Sequence, residues 1–299
     1  MKKPIKLEGI FPALVTSFDQ NNQLDEEALR KIVRYCLDGG SAGVAVNGST
    51  GEAINLSREE KIRAIKVCLE ECRPRGKKVI AGCGGPTTSS TLELVKDALE
   101  AGADAGLVLT PFNNIPKQDG LIAHYEAVAA LGLPIVLYNI PSHTGVNIDM
   151  DTFEKLIQIP SVIGIKESSG NLPMMAEIIR KYGRDITIFT GCDALTLQIF
   201  STGADAAILA LGNIAPAAVV SILENMKAGN LEAARETYYK LLPIANIISE
   251  EENFPTTVKE AVSQLGYNCG PPRLPITPCN DREKKAIYEA LVYAGLLSR

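Results

Sequence analysis

Tryptophan is absent from this 299-residue chain, histidine occurs only twice, and phenylalanine and tyrosine make up the whole 5% aromatic content. Metal-dependent carbon–carbon chemistry needs carboxylates and imidazoles gathered at one site, and His124 and His143 are too few to build one, so no metal or cofactor is expected. The seven cysteines are an odd number without metal-type spacing; Cys68 and Cys72 stand one helical turn apart with no partner cluster. Reduced thiols in a cytoplasmic protein are the expectation. Positive charge is not in excess: 30 Lys and Arg against 35 Asp and Glu leave a net charge of −5, which excludes a basic footprint for nucleic acid. No apolar run approaches a membrane span, and Met1-Lys2-Lys3-Pro4-Ile5-Lys6 lacks the hydrophobic core of a leader, so no membrane association is expected.

What is present is an ordinary globular composition, 46% hydrophobic and 22% charged. The length suits one α/β barrel or two average domains. Short apolar runs recur at Gly9 to Val15, Gly43 to Val46, Lys78 to Ala81, Ala105 to Leu109, Pro134 to Tyr138, Val162 to Lys166, Ile186 to Thr190 and Ala206 to Leu209. Continuous runs of this length, bounded by small and polar residues, predict buried parallel strands. Between them lie helical spacings such as Leu24 to Leu37 and Ser57 to Cys72, the second opened by a Ser57–Glu60 capping box. Asp151 and Asp193 are expected to cap the helices before the sixth and eighth runs. Eight strand–helix units predict a (β/α)8 TIM barrel over residues 1–228, in preference to an open doubly wound sheet. Residues 229–299 read as helical (Leu231 to Ile248, Glu252 to Leu265, Arg282 to Leu297) and are expected to pack on the barrel as an appendage.

Barrels of this kind place their chemistry at the carboxyl ends of the strands. Lys166 closes the sixth apolar run, where a rigid strand holds it and partial loss of water favours the free amine. A free amine in an apolar pocket is what Schiff-base formation with a ketone requires. Tyr138 ends the neighbouring fifth run, and a phenol beside an amine can both donate and accept a proton. After the second run, Asn47-Gly48-Ser49-Thr50-Gly51-Glu52 combines two glycines, expected to turn the backbone and expose its amides, with two hydroxyls; this suits a small carboxylate. The Gly82-Cys83-Gly84-Gly85 loop lacks the spacing of a dinucleotide fingerprint and is read as room for substrate, with Cys83 a weaker option as a nucleophile.

Gly48-Ser49-Thr50-Gly51-Glu52, Tyr138-Asn139-Ile140-Pro141 and Gly164-Ile165-Lys166-Glu167, in that order and spacing, resemble the dihydrodipicolinate synthase/N-acetylneuraminate lyase family. The likeness extends through Gly191-Cys192-Asp193-Ala194-Leu195, Gly203-Ala204-Asp205 and Arg273-Leu274-Pro275. It implies a homotetrameric class I aldolase or lyase, a dimer of dimers, that uses pyruvate and a small aldehyde. Lys166 would form the imine, Tyr138 would shuttle protons, and Thr50 would act beside them. Gly48, Ser49 and Thr50 would hold the pyruvate carboxylate, and the Ile208 carbonyl would line the pocket. Two positions depart from the synthase pattern: His143 stands where those enzymes place an arginine, and Asn113 where a second tyrosine comes from the neighbouring subunit. Both are therefore expected to bind hydroxyl groups of a 2-keto-3-deoxy sugar acid or a 4-hydroxy-2-oxoglutarate type substrate. Condensation of pyruvate with aspartate semialdehyde, a keto-deoxy acid dehydratase and a non-catalytic keto-acid binder are the alternatives.

Overall fold

A computed structural model describes residues 3, 5–249 and 253–298. Eight parallel strands form one sheet: β1 (Gly9–Pro12), β2 (Gly43–Val46), β3 (Lys78–Gly82), β4 (Ala105–Leu109), β5 (Ile135–Asn139), β6 (Val162–Glu167), β7 (Thr187–Thr190) and β8 (Ala206–Leu209). Each pairs with its sequence neighbour, and β8 returns to β1. Between β1 and β2 the ring is closed by Ala42 N donating to Ile10 O at 2.9 Å and Leu14 N donating to Ala45 O at 2.8 Å. The fold is a (β/α)8 barrel.

Outside the strands run α1 (Glu26–Asp38), α2 (Arg58–Cys72), α3 (Thr88–Ala101), α4 (Gln118–Ala129), the short α5 (Pro141–Thr144), α6 (Met150–Leu156), α7 (Leu172–Tyr182), α8 (Thr196–Ser201) and α9 (Pro216–Lys227). The Ser57–Glu60 capping box opens α2 as the sequence predicts. Two predicted caps are corrected. Asp149, not Asp151, caps α6, because its carboxylate is the one placed to accept from Thr152 N at 2.8 Å, while Asp151 falls within the first turn. Asp193 caps nothing; its carboxylate accepts from Leu211 N, after β8, at 2.7 Å.

The core has two layers, as strand alternation requires. Inside the barrel, Phe11, Ile80, Leu107, Val136, Ile163, Phe189 and Ile208 form one cluster, with Phe11 and Phe189 edge to face at 5.8 Å. The outward-facing residues pack beneath the helices. The chain ends in α10 (Leu231–Ile248), α11 (Thr256–Gln264) and α12 (Asp281–Tyr293); Glu252, the predicted start of the second, lies outside the described residues. Tyr238 of α10 donates to Ala194 O beyond β7 at 2.7 Å. Lys259 of α11 meets Glu52 beyond β2 at 2.8 Å, both side chains buried. Among the described residues no helix is long and apolar enough to cross a membrane.

His124 illustrates a buried titratable group outside the barrel mouth. Its Nδ1 lies 3.0 Å from Thr88 Oγ1, and burial lowers its pKa to about 4. The unfolded chain takes up that proton near pH 6.5, the folded protein only near 4, so this residue costs stability as pH falls between those values. Buried Asp193, raised to about 6, has the opposite effect over much of the same range. The informative comparison is therefore with His124→Gln. Urea unfolding at pH 7 and at pH 4 should show the parent losing on the order of 2–3 kcal/mol relative to the variant. An unchanged difference between the two pH values would contradict this.

Candidate active site

The sixth strand does not alternate regularly. Ile135 pairs with Val162 but Val136 with Gly164, so Ile163 is an extra residue, a β-bulge. Beyond it the faces come into step across β5 and β6: Val136 with Gly164, Leu137 with Ile165, Tyr138 with Lys166, Asn139 with Glu167. The bulge thereby turns Lys166 into the barrel, where Ile163 three residues earlier also lies. Lys166 Nζ sits 4.0 Å from the centroid of the Tyr138 ring, and each residue is only 6% exposed. Gly191, just past β7, gives the lysine its room: a Cβ there would stand 2.5 Å from Lys166 Cε and 1.9 Å from Ser168 Oγ.

The loop after β2 turns by different residues from those expected. Gly48 has an ordinary φ of −86°, and the left-handed positions are Asn47 at φ 59° and Glu52 at φ 53°. Asparagine tolerates that region through its short polar side chain. Glu52 is fixed there by burial: Lys259 Nζ donates to one carboxylate oxygen at 2.8 Å and Arg273 N to the other at 2.8 Å. Between these two anchors Ser49, Thr50 and Gly51 form a single helical turn, whose first amides have no carbonyl within the turn. Thr50 is buried and Ser49 exposed. Gly82 packs beneath, where a Cβ would lie 1.9 Å from Asn47 O.

Two cavities open side by side at the strand ends and share Gly48, Ser49, Tyr138, His143 and Phe254. The inner one, about 290 Å³, holds Lys166 and is lined also by Thr50, Ser168, Asp193 and Ile208. The outer one, about 510 Å³, reaches Gly82, Gly84 and Gly85, as the sequence predicts for that loop, and extends to Arg58. Arg58 is committed to Asp97 at 2.6 Å, and Lys166 is the one lysine or arginine lining the inner cavity among the described residues. His143 lies on α5 with its ring 6.3 Å from that of Phe254. Asn113 stays outside both cavities, exposed in a left-handed turn at φ 69°, while the preceding Phe112 enters the outer lining. Cys83 is fully buried, its thiol donating to Ala81 O at 3.2 Å and its pKa raised to about 12 by burial, which leaves no thiolate for nucleophilic work.

Four residues of this region escape the sequence reading as site residues. Asp193 faces the inner cavity with its pKa raised to about 6, chiefly by burial, against the pull of backbone N–H donors and Lys166. Ser168 presents a buried hydroxyl beside Lys166. Asn139 and Glu167 bond to each other behind the Tyr138–Lys166 pair, at 2.8 Å. A signal for that last pair existed: they directly follow Tyr138 and Lys166 on adjacent strands. Asp193 had its place in the Gly191–Leu195 segment of the family likeness.

Comparison with known proteins gives the family. Residues 6–294 match the Dihydrodipicolinate synthetase family. The 4-hydroxy-tetrahydrodipicolinate synthase of Syntrophus aciditrophicus is 36% identical over 291 residues, 97% of this chain and 99% of its own length. That of Methanopyrus kandleri is 38% identical over 296 residues, 98% of each chain. Among solved structures, the chloride-inhibited dihydrodipicolinate synthase of Acinetobacter baumannii, in complex with pyruvate, superimposes with a TM-score of 0.93 at 33% identity, covering 98% of this chain and all of that one.

Proposed function

This chain belongs to the dihydrodipicolinate synthetase family, and on that premise we propose that it joins pyruvate to aspartate semialdehyde, making the 4-hydroxy-tetrahydrodipicolinate for which its relatives are named. It is a class I, Schiff-base lyase/aldolase that uses pyruvate. Those relatives favour the synthase over the sugar-acid reading that the sequence put first. The observation that carries the chemistry is Lys166 Nζ held 4.0 Å from the Tyr138 ring in the lining of the inner cavity.

The steps follow from those groups. The Lys166 amine attacks the keto carbon of pyruvate, and Tyr138 hands on the proton with which the keto oxygen leaves as water. The iminium then withdraws electrons enough for the methyl group to lose a proton. The resulting enamine carbon bonds to the aldehyde carbon, whose oxygen takes a proton from the Tyr138 side. The amine of the bound semialdehyde attacks the imine carbon, closing the ring and releasing Lys166. Thr50, Ser49 and the amides of their turn hold the pyruvate carboxylate throughout, and Ile208 walls the cavity.

A second reading rests on His143 and Asn113. An imidazole cannot offer the bidentate fork of an arginine to a second carboxylate. With Asn113 outside the cavity in the single chain, a hydroxylated aldehyde from a keto-deoxy sugar acid or 4-hydroxy-2-oxoglutarate would suit the inner lining. The deciding measurement is pyruvate consumption with and without aspartate semialdehyde. Consumption that depends on the aldehyde is expected; its absence, with an imine still trapped on Lys166, would hand the site to the second reading. The same preparation is expected to sediment as a tetramer, in keeping with apolar Ile54 (77% exposed) and Leu274 (81%) on the surface.

A further inference from the structure

Behind the two candidate catalytic side chains lies a second pair that touches neither the cavities nor solvent. Asn139 and Glu167 are 0% and 1% exposed. Alternation across the paired strand ends sends Tyr138 and Lys166 inward and these two outward, in register with each other. Asn139 Nδ2 donates to Glu167 Oε2 at 2.8 Å and to Asn147 Oδ1 at 2.8 Å, while Asn139 Oδ1 accepts from Ile148 N at 3.0 Å. Glu167 Oε1 accepts from Ser169 N at 2.6 Å. The backbone joins in: Ser168 N donates to Asn139 O, and Gly191 N to Glu167 O, each at 2.9 Å. Among the described residues the carboxyl of Glu167 takes its hydrogen bonds from neutral groups of Asn139 and Ser169, and burial pushes its pKa upward. A buried carboxyl without a cation is a costly way merely to fill space.

We propose that Asn139 and Glu167 are positioning residues, a hydrogen-bonded clasp across the tips of β5 and β6 that keeps Lys166 Nζ and the Tyr138 phenol aligned through the chemical steps. The inference rests on the Schiff-base reading of Lys166. Within that reading the clasp acts on geometry and not on pyruvate binding, which belongs to the loop after β2. Misplacement of reacting groups by about an ångström can cost on the order of 10²-fold in rate.

Each single change breaks the bond between the two side chains, and Asn139→Asp also removes the donor to Asn147 Oδ1. Asn139→Asp sets two carboxylates against each other, and Glu167→Gln keeps one acceptor oxygen for two donors. The double variant Asn139→Asp/Glu167→Gln restores the bond between the two side chains with donor and acceptor exchanged and the net charge unchanged, and rotation of the Asn147 amide lets it donate where it had accepted. Each single variant should lose about 10- to 100-fold in kcat at 25 °C, with little change in KM for pyruvate and a folded circular dichroism spectrum. The double variant should recover most of that kcat. If one single variant fails to fold, the other and the double still decide the matter. Single variants with parental kcat, or a double variant no better than the singles, would overturn the clasp. Borohydride trapping of pyruvate on the parent separates the two levels: a parent that does not trap overturns the Schiff-base reading and this inference with it.

Discussion

Lys166→Ala is expected to abolish turnover, a loss of roughly 10⁴-fold or more, as removal of a covalent nucleophile does elsewhere. Lys166 is the one lysine or arginine lining the inner cavity among the described residues; the outer cavity has Lys61, and Arg58, which is paired with Asp97. The fold should survive, since the side chain lies at the mouth and Gly191 already leaves space around it. The readout is mass spectrometry after borohydride reduction in pyruvate. The parent should gain a three-carbon unit on the peptide containing residue 166, and the variant none. A variant that still traps pyruvate at another lysine would sink the assignment.

Tyr138→Phe is the second large effect, and its character differs. The ring stays, along with its packing in the barrel interior and its face toward Lys166 Nζ. Only the hydroxyl is lost, and general acid–base catalysis contributes on the order of 10²–10⁴ in rate. Imine trapping should therefore persist, slowed, while turnover falls by about that factor. Parental turnover in Tyr138→Phe would remove the proton shuttle from the mechanism and leave the ring as packing.

Much of this was legible because strands and helices advertise themselves locally. Four-residue runs such as Gly43 to Val46 and Ala206 to Leu209 match their strands residue for residue, and the span Leu231 to Ile248 is helical as predicted. The adjacency of Tyr138 and Lys166 followed from topology alone, since consecutive strands of a barrel are neighbours. What stayed hidden depends on pairings that sequence spacing cannot supply. Glu52 and Lys259 are far apart in the chain, and nothing local says that a glutamate closing a Gly-Ser-Thr-Gly turn is buried against an α11 lysine. Asp193 looked like a helix cap because any carboxylate near a helix start can serve; only the folded barrel brings Leu211 N to it. Asp151 drew the expectation of a cap, but the backbone sets Asp149, two residues earlier, at that position. The glycines of the β2 loop drew the expectation of unusual φ that Asn47 and Glu52 in fact carry, one through its own chemistry and the other through a distant ion pair.

The bulge at Ile163 makes the sixth strand a matter of parity. Val162-Ile163-Gly164-Ile165 reads as an unbroken apolar run, so its composition is indifferent to an odd or even count, yet that count decides which of Lys166 and Glu167 meets the substrate. Pairing the same residues without the bulge would set Ile165 opposite Tyr138 and exchange an inward amine for an inward carboxylate, whereas deleting the surplus residue together with the bulge would keep Lys166 opposite Tyr138. Length changes here are thus unlike those in the surrounding loops: the surplus residue is what keeps the amine inward in a strand of this length, and deletion of Ile163 should keep it inward too, because the shortened strand pairs evenly from Val162.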